Sequence, residues 1–445
     1  MSVDANIAKP AQLSWGLRLG WGIGSLGGAA LINAVGFLAL FYLIRAVGLS
    51  PATAGTLVFL AKCFDIITDP LMGVLSDRTR SPWGRRRPWL FVAAFVSPLA
   101  FVLLFYVPAG AGMQSVIWAA VALLLYALGY TMFNIPYLAM PAEMTRDYHE
   151  QSRLMSMRVV FVALGILVGG ALGPFLVSEF GGDAAAYSAM SWVLAAIIGS
   201  SMAASFFGTS SAAFTTRSSH YVGLKEQWSQ ALANRPFIVL LSAKFLHMTG
   251  VALAISSLLF MVTVVLQRDE AAASAFVFSS TAGTLLAIPF WLASSRRLGK
   301  RNTYLLAVFF YVPVLLSWFL AGTGESWSVY LLRGFGIGVV TGGLTLTAQA
   351  MLPDAIQEDS RLTGLQREGV FTAAYSFMEK TAFALGPLVF GLALDQAGFD
   401  PADVSGADES VRQVILFSAA TAPAIASALS ALVLCFYTLD RRRFS

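Results

Sequence analysis

Long apolar runs recur through this chain from one end to the other, separated by short stretches rich in Gly, Pro and Arg. A helix must be about 20 residues long to cross a bilayer. Each run is that long or close to it. In lipid the backbone has no water to bond, so a spanning segment must close its own hydrogen bonds, which a helix does. We read twelve such segments, at 15–45, 52–76, 89–108, 115–138, 154–178, 188–208, 236–266, 273–294, 303–321, 326–350, 368–395 and 411–437. Charged residues make up only 12% of the 445, against about 25% in soluble proteins. The expected fold is an all-α membrane protein of twelve transmembrane helices.

The formal charge of +5 does not point to nucleic acid, because the cationic residues fall in loops between spans. The first run begins near Trp15 and is long enough to span, so it is expected to stay as the first helix, with no cleavable signal. Cys63 and Cys435 lie in apolar segments far apart and offer no disulfide framework. With three histidines and two cysteines scattered, no metal cluster is expected, and no cofactor either. No G-x-x-x-x-G-K-[ST] loop is present, so ATP is not the expected energy source. Gly22-x-Gly24-x-x-Gly27 matches a dinucleotide fingerprint by letter, but it lies inside an apolar span with no strand before it.

The long polar break at 209–235 divides the chain into two sets of six: residues 1–208 and 236–445, joined by a cytoplasmic linker. Nearly all loop cations fall on one side, Arg78, Arg80, Arg85, Arg86, Arg87, Arg153 and Arg296 among them; the other side holds Arg45, Arg268 and Arg412. This asymmetry predicts both termini in the cytoplasm, with the protein in the plasma (inner) membrane. The halves also echo each other. Gly84-Arg85-Arg86 follows the second segment and Gly299-Lys300-Arg301 the eighth; Pro141-Ala142-Glu143 follows the fourth and Pro353-Asp354 the tenth. A duplicated six-helix unit places a substrate site at the interface of its two copies.

Charges inside the spans then stand out. A charged side chain at the centre of a spanning helix costs about 2.5–3.5 kcal/mol on insertion scales, and such residues usually mark an ion or substrate path. Lys62, Asp65 and Asp69 stand at i, i+3 and i+7, on one helical face. Pro70 cannot donate to the carbonyl of Ile66. A freed carbonyl beside two carboxylates suits a hard cation, so Lys62, Asp65 and Asp69 form the expected cation-coupling set. The bland reading is a structural Lys62–Asp65 pair. The substrate-cavity candidates are Lys380, Arg158, Asn134, Tyr137 and Ser376. Lys380 is expected to face the cavity and compete with the cation for Asp65 or Asp69, its neighbour Glu379 pointing elsewhere; Arg158 has a snorkelling alternative. Lys244 is expected to snorkel to the cytoplasm, and His247 to be a packed residue bonded to a neighbour. Asp77, Arg78, Arg85, Arg86, Glu143, Arg146, Asp354 and Arg367 are candidates for a cytoplasmic gate whose ion pairs break and re-form as the halves rock. Glycines spaced four apart, at Gly20, Gly24 and Gly28 and at Gly165, Gly169 and Gly173, let helices approach closely.

Gly73-Val-Leu-Ser-Asp77-Arg78 with Gly84-Arg-Arg-Arg87 resembles the signature of the major facilitator superfamily. Asp65-x-x-x-Asp69-Pro70, Arg80-Ser-Pro-Trp83, Arg87-Pro88-Trp89, Asn134-Ile-Pro136-Tyr137, Asn234-Arg-Pro-Phe237 and Lys380 narrow this to a resemblance to the glycoside–pentoside–hexuronide:cation symporters, whose wider group includes sodium-coupled lysolipid transporters. The resemblance covers essentially the whole chain. It implies that Asp65 and Asp69 serve the coupling cation, with Lys62, Arg158 and Lys380 beside them, and that Asn134, at the position of an acid contacting both sugar and cation, completes the cation-coupling set. Two acids of the melibiose carrier are replaced, by Ala29 and Asn134, which argues against a galactoside. The expected function is symport of a small polar solute, a sugar or glycoside, with H⁺ or Na⁺ by alternating access. The alternatives are an amphiphile or lysolipid carrier, or a non-transporting sensor. No nucleophile–base constellation suggests an enzyme. The expected partners are solute, cation and bilayer, with no nucleic acid, and the expected working unit is a monomer.

Overall fold

A computed structural model describes residues 13–108, 110, 112–145, 147–212, 234–363, 368–401 and 408–439. Twelve long helices fill it: α1 (Trp15–Arg45), α2 (Pro51–Arg78), α3 (Arg87–Leu104), α4 (Met113–Met144), α5 (His149–Glu179), α6 (Ala184–Gly208), α7 (Arg235–Val265), α8 (Glu270–Leu298), α9 (Lys300–Leu320), α10 (Trp327–Thr363), α11 (Glu368–Gln396) and α12 (Glu409–Leu434). Several starts are marked in the sequence by a residue whose side chain bonds the free first-turn amides. Ser14, Ser50, Asp183, Asn234 and Asp269 accept from the backbone N–H three residues on. Three helices contain a π-helical stretch: Leu167–Leu172 in α5, Met261–Val265 in α7 and Phe417–Thr421 in α12.

Eleven of the helices are long and apolar enough to cross a membrane. The twelfth, α2, is the one that carries Lys62, Asp65 and Asp69. Large apolar side chains, Phe95, Trp192, Phe309, Leu332 and Phe417 among them, are exposed on the bundle. Outward apolarity on this scale belongs to a surface solvated by lipid. The protein is an integral membrane protein.

Helices α2, α4 and α10 run past the apolar spans at 52–76, 115–138 and 326–350, to Arg78, Met144 and Thr363. Hydropathy marks the thickness of lipid, whereas a helix ends where its backbone bonding ends. The expected linker is mostly outside the described residues. Only Thr209 to Ala212 and Asn234 to Arg235 of it are described.

Within each six-helix set, small residues decide how closely helices pack. In the first, the backbones of Gly20 (α1) and Gly208 (α6) touch, and Gly165 and Gly169 of α5 lie on Ala29 and Ala30 of α1. In the second, Gly338 (α10) lies on the Ser280 carbonyl of α8, and Gly386 (α11) on Ala252 of α7. The echo in the sequence has a geometric counterpart. Gly84 and Gly299 both turn the chain in the left-handed region, at φ 89° and 84°, where a side chain is strained.

The two sets meet chiefly where α2 lies along α11 and α5 against α8. The ends of α1, α5 and α11 meet the starts of α2 and α8 on one face of the bundle, which we call distal. Polar contacts tie the sets together there. Arg45 donates to the Pro401 carbonyl at 2.7 Å, and Ser178 to Asp269 at 3.4 Å. The Ala52 amide donates to Asp395 at 3.4 Å. The backbones of α2 and α11 cross at glycines, so that a Cβ on Gly391 would lie 2.4 Å from the Pro51 carbonyl and one on Gly55 2.5 Å from that of Pro387. The distal face is therefore shut by backbone contact. Gly391→Val is expected to hold it open. In a Phe383→Cys variant with Cys63 and Cys435 replaced by Ser, Gly391→Val should raise the labelling rate by a membrane-impermeant thiol reagent from the distal side about 10-fold or more, a shift of about 1.4 kcal/mol in opening. An unchanged rate would mean this crossing does not control access.

Candidate functional site

Helix α2 brings its charges to the crossing with α11 because their spacing puts them on one stripe. Lys380 of α11 reaches across and donates to both carboxylates, at 3.1 Å to Asp65 Oδ2 and in a closer contact to Asp69 Oδ2. Asp65 is almost fully buried, at 4% side-chain exposure, while Asp69 and Lys380 keep 18% and 20%. The Thr131 hydroxyl of α4 lies between the same two acids, 2.7 Å from Asp65 Oδ1 and 2.9 Å from Asp69 Oδ1. One hydroxyl has one proton, so Thr131 can donate to only one of them at a time. The other contact is satisfied when its carboxylate carries a proton, or when a cation takes the place between the oxygens. Thr68 donates to its own helix, to the Phe64 carbonyl at 3.1 Å.

Beside this cluster lies a cavity of about 410 Å³ between the two six-helix sets. Lys62, Asp65, Asn134, Arg158, Ser376 and Lys380 all line it. Six of the sequence candidates thus come from α2, α4, α5 and α11 to one space. Lys62 does not pair with Asp65; its ammonium sits over the Tyr126 ring, 5.6 Å from the centroid. Tyr137 is a correction. It lies one turn away from the cavity wall in the core of the first set, stacked on Trp21 at 4.8 Å, and its hydroxyl bonds Ser25 at 2.5 Å and the Trp21 carbonyl at 2.8 Å. Its ring fills the α1–α4 contact because Gly24 leaves room there.

Glu379 is the opposite correction: it lines the cavity beside Lys380 and accepts from the buried Lys244. Adjacent residues point about 100° apart, but the cavity wraps that much of α11. Lys244 does not snorkel. It is 5% exposed and covers the Tyr375 ring at 3.2 Å. His247 is buried, 3.0 Å from Ser427 Oγ and edge-on to Tyr311.

The gate candidates pair inside their own halves. Arg86 binds Asp77, Ser76 and, at 3.0 Å, Glu143; Arg85 also reaches Glu143 at 3.0 Å. Lys300 binds Asp354 at 2.7 Å in the second half, where the sequence echo places it. Arg78 is exposed. Arg146 and Arg367 lie outside the described residues. Thr131, Tyr130 and Asn33 escape a reading based on sequence alone, since none is a charge isolated in an apolar run with a helical partner. Buried Glu150, which holds Arg18 at 2.9 Å, and Arg87, which caps the end of α6 through the Phe206 carbonyl at 2.9 Å, escape it too.

A second chamber of about 300 Å³ adjoins the first and shares Asn33, Phe37 and Ile255 with it. Its wall is mostly apolar, with Phe276, Leu285, Leu315, Trp318 and Ile337, and carries the hydroxyls of Ser280, Thr281, Thr284 and Thr341.

The family model for MFS/sugar transport protein matches residues 20–441. The chain belongs to that family. It is a major facilitator transport protein, and not an enzyme. The isoprimeverose transporter of Lactiplantibacillus pentosus is 25% identical over 98% of this chain and 91% of its own length. A putative glycoside/cation symporter of Escherichia coli (strain K12) is 27% identical over 85% of this chain and 82% of its own. The sodium-dependent lysophosphatidylcholine symporter 1-A of Danio rerio is 23% identical over 92% and 83%. Among solved structures, a bacterial homolog of the human lysosomal transporter Spinster, inward-facing and unoccupied, superposes with a TM-score of 0.67 at 15% identity, over 95% of this chain and 97% of that one. That likeness concerns the fold alone.

Proposed function

We propose that this transporter is a symporter coupling a small hydroxylated solute, a saccharide or glycoside, to H⁺ or Na⁺. The observation that carries the reading is Lys380, held by Asp65 and Asp69 across the boundary between the two halves. A coupling cation is an alternative partner for the same carboxylates. Its arrival would release Lys380 into the cavity beside Asn134 and Ser376, where solute hydroxyls could take up its donors. Solute hydroxyls would then satisfy donors that the closing cavity would otherwise bury without a partner. Cation and solute each favour the other by the same free energy, which is the condition for coupled transport. The excess of cationic residues in the loops opposite the distal face supports a cytoplasmic location for both termini. The protein acts as a monomer with its cavity inside one chain.

A thermal-shift screen of the purified protein tests this, with neutral sugars, glycosides, uronides and lysolipids, with and without Na⁺, at two pH values. Ligand at about 100 times its Kd should stabilise the native state by roughly 2.7 kcal/mol. The expected result is a saccharide whose effect grows with Na⁺ or with acid and is lost in Asp65→Asn. A saccharide effect indifferent to both cations would replace symport by uniport. The apolar side chamber favours a second reading, an amphiphile carrier whose cargo rests its chain there. Stabilisation by lysolipids and by no saccharide would establish it instead.

A further inference from the structure

The carboxylates at the polar cavity are not equally engaged. On Asp65 and Asp69, one oxygen lies against the Thr131 hydroxyl and the other accepts from Lys380. Glu379 differs. Its Oε2 accepts from Lys244, while its Oε1 has no hydrogen-bond partner among the described residues. Lys244 keeps 4% side-chain exposure and covers the Tyr375 ring at 3.2 Å, so it is fixed in the core. Glu379 keeps 47% and lines the cavity. The buried ammonium thus holds one oxygen of the carboxylate and leaves the other for a solute. Ser376 stands one turn before Glu379 on the same face of α11 and lines the same cavity. From the first half, Arg158 and Asn134 bring donors to it. A hydroxyl both donates and accepts, so a molecule with several can give to Glu379 and take from Arg158 at once.

We propose that Glu379 is a specificity-determining residue: its Oε1 accepts a hydrogen bond from one particular hydroxyl of the solute, and Lys244 is the positioning residue that holds the carboxylate for it. The inference rests on the cavity's being the solute site, as proposed above. A cationic donor is a poorer match, because Glu379 already has an ammonium and Lys62 and Arg158 stand in the same cavity. When the halves close on the solute, an unpaired carboxylate oxygen loses its water. A hydroxyl donor removes that cost, and a group without a proton does not. Discrimination between hydroxyl positions then comes from the second half of the protein, and the coupling cation is held by the first.

Methyl glycosides of glucose, galactose and xylose, each with its set of monodeoxyfluoro analogues, test it. Fluorine takes the place of a hydroxyl without a proton to donate. Kd values are measured by thermal shift on the full chain, with saturating Na⁺ and at acid pH. In the wild type, fluorine at one ring position should weaken binding about 10- to 100-fold, as expected of a lost hydrogen bond to a charged group. Glu379→Gln should cut the loss at that position to about 3-fold and leave the other positions as they were. Lys244→Met, which frees the carboxylate to swing, should cut it in part. A Glu379 that only held Lys244 in the fold would move the melting temperature and leave these ratios alone. Should Glu379→Gln fail to fold with Lys244 stranded, the neutral pair of Glu379→Gln with Lys244→Met carries the same test. Equal position-by-position ratios in wild type and variant overturn the assignment of Glu379 and leave saccharide symport standing. So does a wild type in which no single position costs more than about 3-fold. Binding of no saccharide by the wild type overturns both.

Discussion

Replacing both Asp65 and Asp69 with Asn is expected to abolish accumulation: in vesicles with an imposed Na⁺ or H⁺ gradient, the ratio of internal to external solute should settle at about 1, since no site is left whose occupancy links the two fluxes. The geometry gives this effect two parts. The pair is the only buried counter-charge within reach of Lys380 among the described residues, and deleting one side of a buried pair costs about 3–5 kcal/mol by stranding the other. Lost coupling and lost stability would therefore come together. Adding Lys380→Met separates them. The neutral triple variant should regain thermal stability and still fail to concentrate solute. Recovery of accumulation in that variant would show that the aspartates only hold the helices together. Each single Asn variant should retain part of the contact to Lys380 and to Thr131, so each should be milder than the pair.

The largest effect on stability is expected from one methyl group. At Gly338 a Cβ would stand 1.8 Å from the Ser280 carbonyl oxygen, and the obstacle is backbone of a neighbouring helix rather than a side chain that can swing away. Helices α8 and α10 form one of the closest pairs in the second half, so Gly338→Ala must pry them apart along their length. Overpacking usually costs about 1–3 kcal/mol, and a clash this severe belongs at or above the top of that range. Gly28→Ala is the control. It lies in α1 as well packed a helix as α10, but its Cβ would meet nothing nearer than the Phe133 ring at 3.9 Å. There the helix propensity of Ala should stabilise by several tenths of a kcal/mol up to about 1. The two variants should move the apparent melting temperature in opposite directions. Equal behaviour would show that α8 and α10 adjust freely, and that glycine spacing reports composition rather than contact.

The glycine stripes show what a spacing can and cannot convey. Gly165 and Gly169 are tight against α1 as their spacing suggests, whereas Gly28, in register with Gly20 and Gly24, has only the Phe133 ring near it, at 3.9 Å from where a Cβ would stand. The same limit applies to Tyr137. A tyrosine after the Asn134–Pro136 break looks like a cavity residue, but whether its ring points inward to Trp21 or to the cavity depends on the small residue at Gly24, far away in the chain. Helix geometry alone turns Glu379 away from a flat wall that Lys380 faces; the real wall curves round α11.

Sequence by itself determined the membrane class, the twelve helices and the stripe of charges on α2. These follow from local causes: apolar length against bilayer thickness, capping residues at helix starts, and a period of 3.6 that aligns Lys62, Asp65 and Asp69. The tertiary structure decided which charges meet. That Lys380 takes both aspartates, that Lys244 takes Glu379, and that Arg158 faces the cavity with no carboxylate among the described residues in ion-pair contact are consequences of where α2, α5, α7 and α11 cross. Helix crossings are set by side-chain volume at contact points on different helices, and no local pattern in one segment encodes the volume offered by another. Ion pairing in lipid follows those crossings, because a buried charge takes the partner that packing brings within reach.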